Sequence, residues 1–107
     1  MKLHPVDLKK IHINDAFWSK HVSLVKEVVI PYQWDAINDR IKDAEPSHSL
    51  MNFKIAAGLC EGDFYGAVFQ DTDVAKWLEA VGFVLAAGPD EELERTADQV
   101  IDIIAKA

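Results

Sequence analysis

The chain has one cysteine, Cys60, in 107 residues. No disulfide can form within it, and no Cys/His spacing resembles a structural zinc site. Stability must come from packing. Long apolar runs are also lacking: none approaches the ~20 residues needed to cross a bilayer. Positive charge is scarce, with eleven Lys and Arg against eighteen Asp and Glu. The net charge of -7 repels phosphate backbones and anionic lipid surfaces. Neither nucleic acid nor a membrane is expected as a partner. Residues 1–13 lack the continuous apolar stretch of a secretory signal, so a cytoplasmic location is expected. The 50% hydrophobic and 27% charged content is that of an ordinary soluble domain. A single core of this size buries about 65% of the unfolded surface.

The periodicities present are helical, and an all-α chain is expected. An N-terminal arm, residues 1–13, precedes about four helices in residues 14–107. In "INDAFWSKHVSLVKEVVIPYQWDAINDRIK", Asn14 or Asp15 is placed to cap a helix. Phe17, His21, Leu24, Val25, Val28, Val29 and Tyr32 follow at spacings of three and four, forming one apolar stripe. Pro31 removes a backbone donor, so a kink or restart is expected there, with the helix continuing through Trp34, Ile37 and Ile41. After a connector containing Pro46, Ser47 or Ser49 caps a short helix bearing Phe53, Ala56, Ala57 and Cys60 and ended by Gly62. "DFYGAVF" reads as a tight, partly buried loop, because a lone strand there has nothing to pair with. A third helix repeats Val74, Trp77, Leu78, Val81, Val84 and Leu85 and stops at Gly88-Pro89. Asp90 caps a fourth, with Leu93, Ala97, Val100, Ile101 and Ile104 facing inward. The inward pattern is still running at "IIAKA", which reads as a chain cut rather than completed.

Few residues are candidates for chemistry. Asp71 and Asp73 form a carboxylate pair, but oxygen-ligand metal sites need further ligands at defined spacing and none surrounds them. The plainer expectation is that Asp71 or Thr72 caps the third helix and Asp73 sits in its first turn. Cys60 falls at an apolar position without a neighbouring His to lower its pKa, and reads as a buried structural thiol. His4, His12, His21 and His48 are scattered without an i,i+4 pair, and His21 reads as a packed neutral imidazole on the apolar stripe. Trp18, Trp34, Trp77 and the neighbouring Phe and Tyr residues could line a sugar-binding face. Their helical spacing points to core instead.

Three segments in order, "VIPYQWDAIND", "NFKIAAG" and "FYGAVFQDTDVAKWLEA", resemble the N-terminal part of the beta-L-arabinofuranosidases of glycoside hydrolase family 127. The most specific piece is "VFQDTDVAKWLEA", which keeps every fixed position of an F-x-D-[ST]-D-V-x-K-W-L-E-A signature. Ala75 stands where many members have tyrosine, and the connector "KDAEPSHSL" is short. The resemblance implies the first helical hairpins of an (α/α)6 barrel that is flanked in the family by a β-sandwich. It also implies a retaining glycosidase with a zinc-bound cysteine nucleophile and a glutamate acid/base. Those residues would all lie beyond position 107, so this chain supplies no catalytic residue, metal ligand or cofactor site of its own. Retaining chemistry needs both a nucleophile and an acid/base beside the sugar.

The expectation is therefore an N-terminal piece of such a glycosidase, inactive by itself, with carbohydrate as partner only in the full-length context. Phe69, Gln70, Asp71 and Asp73, on the loop entering a barrel helix, are the candidate substrate-binding residues. The alternative is a free-standing helical module whose unfinished apolar faces pair with a second copy or with a chain that completes the barrel.

Overall fold

Helix-forming sequence punctuated by a few turn residues gives the order found in the computed structural model, which describes residues 1–107. After a 3-10 turn at Leu8–Lys10 come α1 (Trp18–Leu24), a π-helical segment (Val25–Val29) and α2 (Ile30–Ile37), in one unbroken helical run. Then follow α3 (Ser49–Ala56), a 3-10 turn (Val68–Gln70), α4 (Asp71–Ala87) and α5 (Glu91–Lys106). There is no strand, and "DFYGAVF" is a loop as expected, although most of it is exposed rather than partly buried.

Each boundary has a local cause. Asp15 starts the first run, its Oδ1 accepting the amides of Phe17 and Trp18 at 3.0 and 2.7 Å. Pro31 cannot donate to the preceding turn. The chain widens there into i→i+5 bonding, with Ile30 N–H donating to Val25 O, and α2 restarts with the proline in its first turn. The run ends at Ile37, so Ile41 lies outside it, contrary to the periodicity. Asp39 at φ 60° closes the helix: its amide reaches Ala36 O and that of Arg40 reaches Asp35 O, the paired bonds of a Schellman ending. The helix α3 ends the same way at Gly58 (φ 70°), where Gly58 N donates to Ile55 O and Leu59 N to Lys54 O. The expected stop at Gly62 is therefore four residues late, and Cys60 falls beyond the helix. Neither Ser47 nor Ser49 caps α3, whose N-cap position is His48 without a side-chain cap; Ser47 Oγ accepts Ser49 N at 3.3 Å in the turn before it. At the start of α5, Asp90 accepts Leu93 N at 3.1 Å, as expected.

The helix α4 is the centre, with α2, α3 and α5 all packed on it. Its buried face, Val74, Trp77 and Val81, meets Ile30, Ile37, Leu50, Ala97 and Val100. Trp34 lies on Trp77, ring centroids 4.7 Å apart, and Trp77 Nε1 donates to Ile30 O at 3.2 Å. The first apolar stripe is uncovered: Phe17, Leu24, Val25, Val28, Val29 and Tyr32 are all exposed. His21 is exposed too, its Nδ1 2.9 Å from Phe17 O, rather than packed. On α5, Ile101 faces solvent and Ile103 is half-buried in its stead. Ten of 107 residues are buried and 8095 Å² is accessible, where a closed monomer of this mass exposes about 6,000 Å².

Candidate functional site

The segment that joins the 3-10 turn to α4 carries the four candidate residues, and the fold treats them differently. Gly66 (φ 94°) lets Gln70 fold back, so that Gln70 Oε1 accepts Ala67 N at 2.7 Å. A Cβ at Gly66 would overlap that amide. Gln70 is thus engaged in holding its own loop. Phe69 is 69% exposed, with no packing partner in the core. Asp71 is the first residue of α4, but the helix has no side-chain cap. Thr72 does not cap either; its hydroxyl donates backwards to Phe69 O at 2.7 Å. The expected cap is replaced by the 3-10 turn, which carries the chain into the helix already wound. Asp73 sits in the first turn as expected, 3.5 Å from Lys76 Nζ in an exposed pair.

Of the four, Asp73 lines the main groove. A groove of about 310 Å³ runs between the π segment and α2 on one side and α4 on the other. Val25, Val29, Ile37 and Trp77 give it an apolar floor, with Gln33, Ser47, Asp73 and Lys76 as polar groups. Phe69, Gln70 and Asp71 lie off it. The same end of the bundle carries the connector of residues 38–48 and a polar cluster that the sequence did not reveal. Asp39 Oδ1 accepts the amides of Ser47 and His48 at 2.7 and 2.9 Å, and its Oδ2 lies 3.0 Å from His48 Nδ1. The latter contact lacks hydrogen-bond geometry. His48 packs at a tilt against Tyr65, centroids 4.6 Å apart and planes 43° apart. The Tyr65 backbone is clamped at both ends by Asn52, which accepts Tyr65 N at 3.1 Å and donates to Tyr65 O at 2.9 Å.

The residues present do not fit a zinc site, since no three His, Cys, Asp or Glu side chains converge. Cys60 is half-exposed rather than buried, its Sγ 3.5 Å from the Met51 thioether. Of the aromatic residues, Trp77 is buried and Trp34 and Phe53 are packed against the core. Phe17, Trp18, Phe64, Tyr65 and Phe69 are exposed, so the core expectation holds for only part of the set. No helix is long and apolar enough to cross a membrane.

With this geometry in hand, the chain can be set beside known proteins. Residues 10–107 match the family described as "Beta-L-arabinofuranosidase, GH127 catalytic domain". The chain is similar to the non-reducing end beta-L-arabinofuranosidase of Bifidobacterium longum subsp. longum, with 40% identity over 109 aligned positions, covering 91% of this chain and 17% of that protein. It also superposes on the crystal structure of a GH127 beta-L-arabinofuranosidase from Geobacillus stearothermophilus T6. There the TM-score is 0.87 and the identity 56%, over 89% of this chain and 15% of that one. The all-helical arrangement is consistent with the first part of an (α/α)6 barrel. The chain spans less than a fifth of the length of either relative.

Proposed function

Because the chain belongs to the GH127 beta-L-arabinofuranosidase catalytic-domain family, we propose that it contributes the opening helical hairpins of a glycosidase barrel acting on beta-L-arabinofuranosides. By itself it hydrolyses nothing. The observation that carries this reading is the uncovered apolar stripe along the first helical run. Six side chains at helical spacing face solvent in a chain whose other helices pack conventionally, which is the condition of a barrel wall without its neighbours. On this reading the zinc, the nucleophilic cysteine and the acid/base glutamate expected of the family come from outside these residues. What this chain adds is one wall and the loops at its rim. Phe69 and Asp73, exposed at the entry to α4, are its sugar-facing groups, Gln70 shapes their loop and Asp71 stands beside them.

Two assays test the reading together. The isolated chain is expected to give no turnover of 4-nitrophenyl beta-L-arabinofuranoside. A chimera in which residues 10–107 replace the matching segment of the Geobacillus stearothermophilus relative is expected to be active. Turnover by the isolated chain that vanishes in Cys60→Ala would overturn the proposal, as would a cooperatively folded but inactive chimera.

A further inference from the structure

We propose that His48, held by Asp39 and Tyr65, is a sugar-hydroxyl contact at the rim of this barrel wall, a site distinct from the Phe69–Asp73 loop. The inference rests on the proposed glycosidase reading and extends it to a residue that no sequence motif singled out.

Backbone strain marks the connector. Asp39 and His48 are both non-glycine residues in the left-handed region, at φ 60° and 53°. Asp43, between them in the connector, shares this conformation at φ 60°, so the strain belongs to the connector as a whole and the side-chain contacts are what set Asp39 and His48 apart. For Asp39 the position follows a helix end, where glycine would relieve the strain. The carboxylate that is kept instead reaches across the connector to three groups: the Ser47 amide, the His48 amide and His48 Nδ1. Two of those contacts close a loop. The third acts on the imidazole alone.

His48 is therefore oriented from two sides. Its Nδ1 is buried 3.0 Å from the Asp39 carboxylate, which fixes the position of the ring and leaves the Nε2 edge without a partner in the chain. The ring packs at a tilt of 43° against Tyr65, whose own backbone is fixed by Asn52, a residue only 6% exposed. Yet the His48 side chain remains 35% exposed, and Tyr65 is 42% exposed. An imidazole pinned by a carboxylate and a clamped aromatic ring, but left open to solvent, is organised beyond what closing the connector requires. His48 lines neither of the two main grooves, and with Tyr65 it forms a partly open shelf. A shelf with one oriented hydrogen-bonding nitrogen and an aromatic edge suits a sugar ring, which offers hydroxyls at its rim and C–H groups on its face. Ser47, which precedes His48 in the chain, lines the apolar groove together with Asp73, so the shelf adjoins that groove through the connector. Asp39 acts through His48 and is a positioning residue.

The test uses the same chimera, with the 4-nitrophenyl glycosides of beta-L-arabinofuranose and of its monodeoxy analogues. His48→Ala is expected to raise KM for the parent substrate tenfold or more and to leave the melting temperature close to that of the unsubstituted chimera. On one deoxy analogue, the one lacking the contacted hydroxyl, His48→Ala and the unsubstituted chimera should perform alike. His48→Gln, which keeps a hydrogen-bonding side chain, should recover part of the loss. Unchanged KM in His48→Ala, or equal losses on the parent and on every analogue, would overturn the inference while leaving the glycosidase reading intact. A cooperatively melting chimera without turnover would overturn both. Should the junction prevent folding, the same comparison is made with this chain co-expressed with the remainder of the relative, and the same outcomes decide.

Discussion

Single side chains carry unequal weight in this molecule, and Trp77 and Asn52 show two ways of carrying much. Trp77 is 4% exposed, stacks on Trp34 and hydrogen-bonds Ile30 O, so it ties α4 to the start of α2. Cutting it to alanine removes that packing and leaves a cavity, and Trp77→Ala is expected to cost about 3–5 kcal/mol in urea denaturation followed by circular dichroism. Trp77→Phe should cost clearly less, since it keeps most of the ring contact; a loss under about 1 kcal/mol for the alanine variant would place the indole outside the core. Asn52 works through polar satisfaction. It answers both the N–H and the C=O of Tyr65 from a buried position, holding a loop that has no secondary structure of its own. Asn52→Ala leaves two loop groups without that partner and should cost about 1–3 kcal/mol. Asn52→Asp can still accept from Tyr65 N but cannot donate to Tyr65 O, so it should also destabilise. An aspartate variant as stable as the parent would show that the donated bond contributes nothing.

At the scale of elements, caps explain where the sequence was legible and where it was not. The helices α4 and α5 could be read because periodicity and punctuation agree: Val74, Trp77 and Val81 recur on one face, Gly88-Pro89 stops the chain, and Asp90 caps the next helix. The end of the first helical run was hidden, because Asp39 fills a position where glycine is the usual signal. The end of α3 was misread because Gly58 and Gly62 both offered a stop and only bond geometry separates them. The start of α4 misled for another reason. Asp71 and Thr72 have the composition of a cap, but a 3-10 turn braced by Gln70 delivers the chain into the helix without one. The His48 cluster could not be found at all, since Asp39 and His48 are nine residues apart and meet only after the connector folds. A paired substitution tests the cap assignment. Asp90→Ala should cost about 0.5–2 kcal/mol, and Asp90→Asn little, since asparagine caps as well. Asp71→Ala loses only a favourable position near the helix N-terminus and should cost no more than about 0.3–1 kcal/mol. If thermal melts rank Asp71→Ala as the more damaging, its carboxylate caps α4 after all.

As a whole molecule the chain is open. Its radius of gyration is 16.2 Å, where a closed domain of this length has about 13 Å. The open side is the first helical run, where Leu24 and Val28 lie one turn apart on an exposed apolar face. Within a barrel, neighbouring helices would cover that face. In the isolated chain we expect a second copy to do so, because apolar side chains at this density associate when nothing else shields them. Sedimentation of the isolated chain should show a mass that rises with concentration, and Leu24→Lys with Val28→Lys should shift it towards monomer without loss of helical content. Salt separates this from a polar contact. The charge of -7 opposes association, and added salt screens it, so a hydrophobic seam should tighten as salt rises. A seam held by ion pairs would loosen instead. A chain that stays monomeric across the micromolar range in high salt would show that the stripe tolerates water, and its exposure would then no longer point to a missing barrel neighbour.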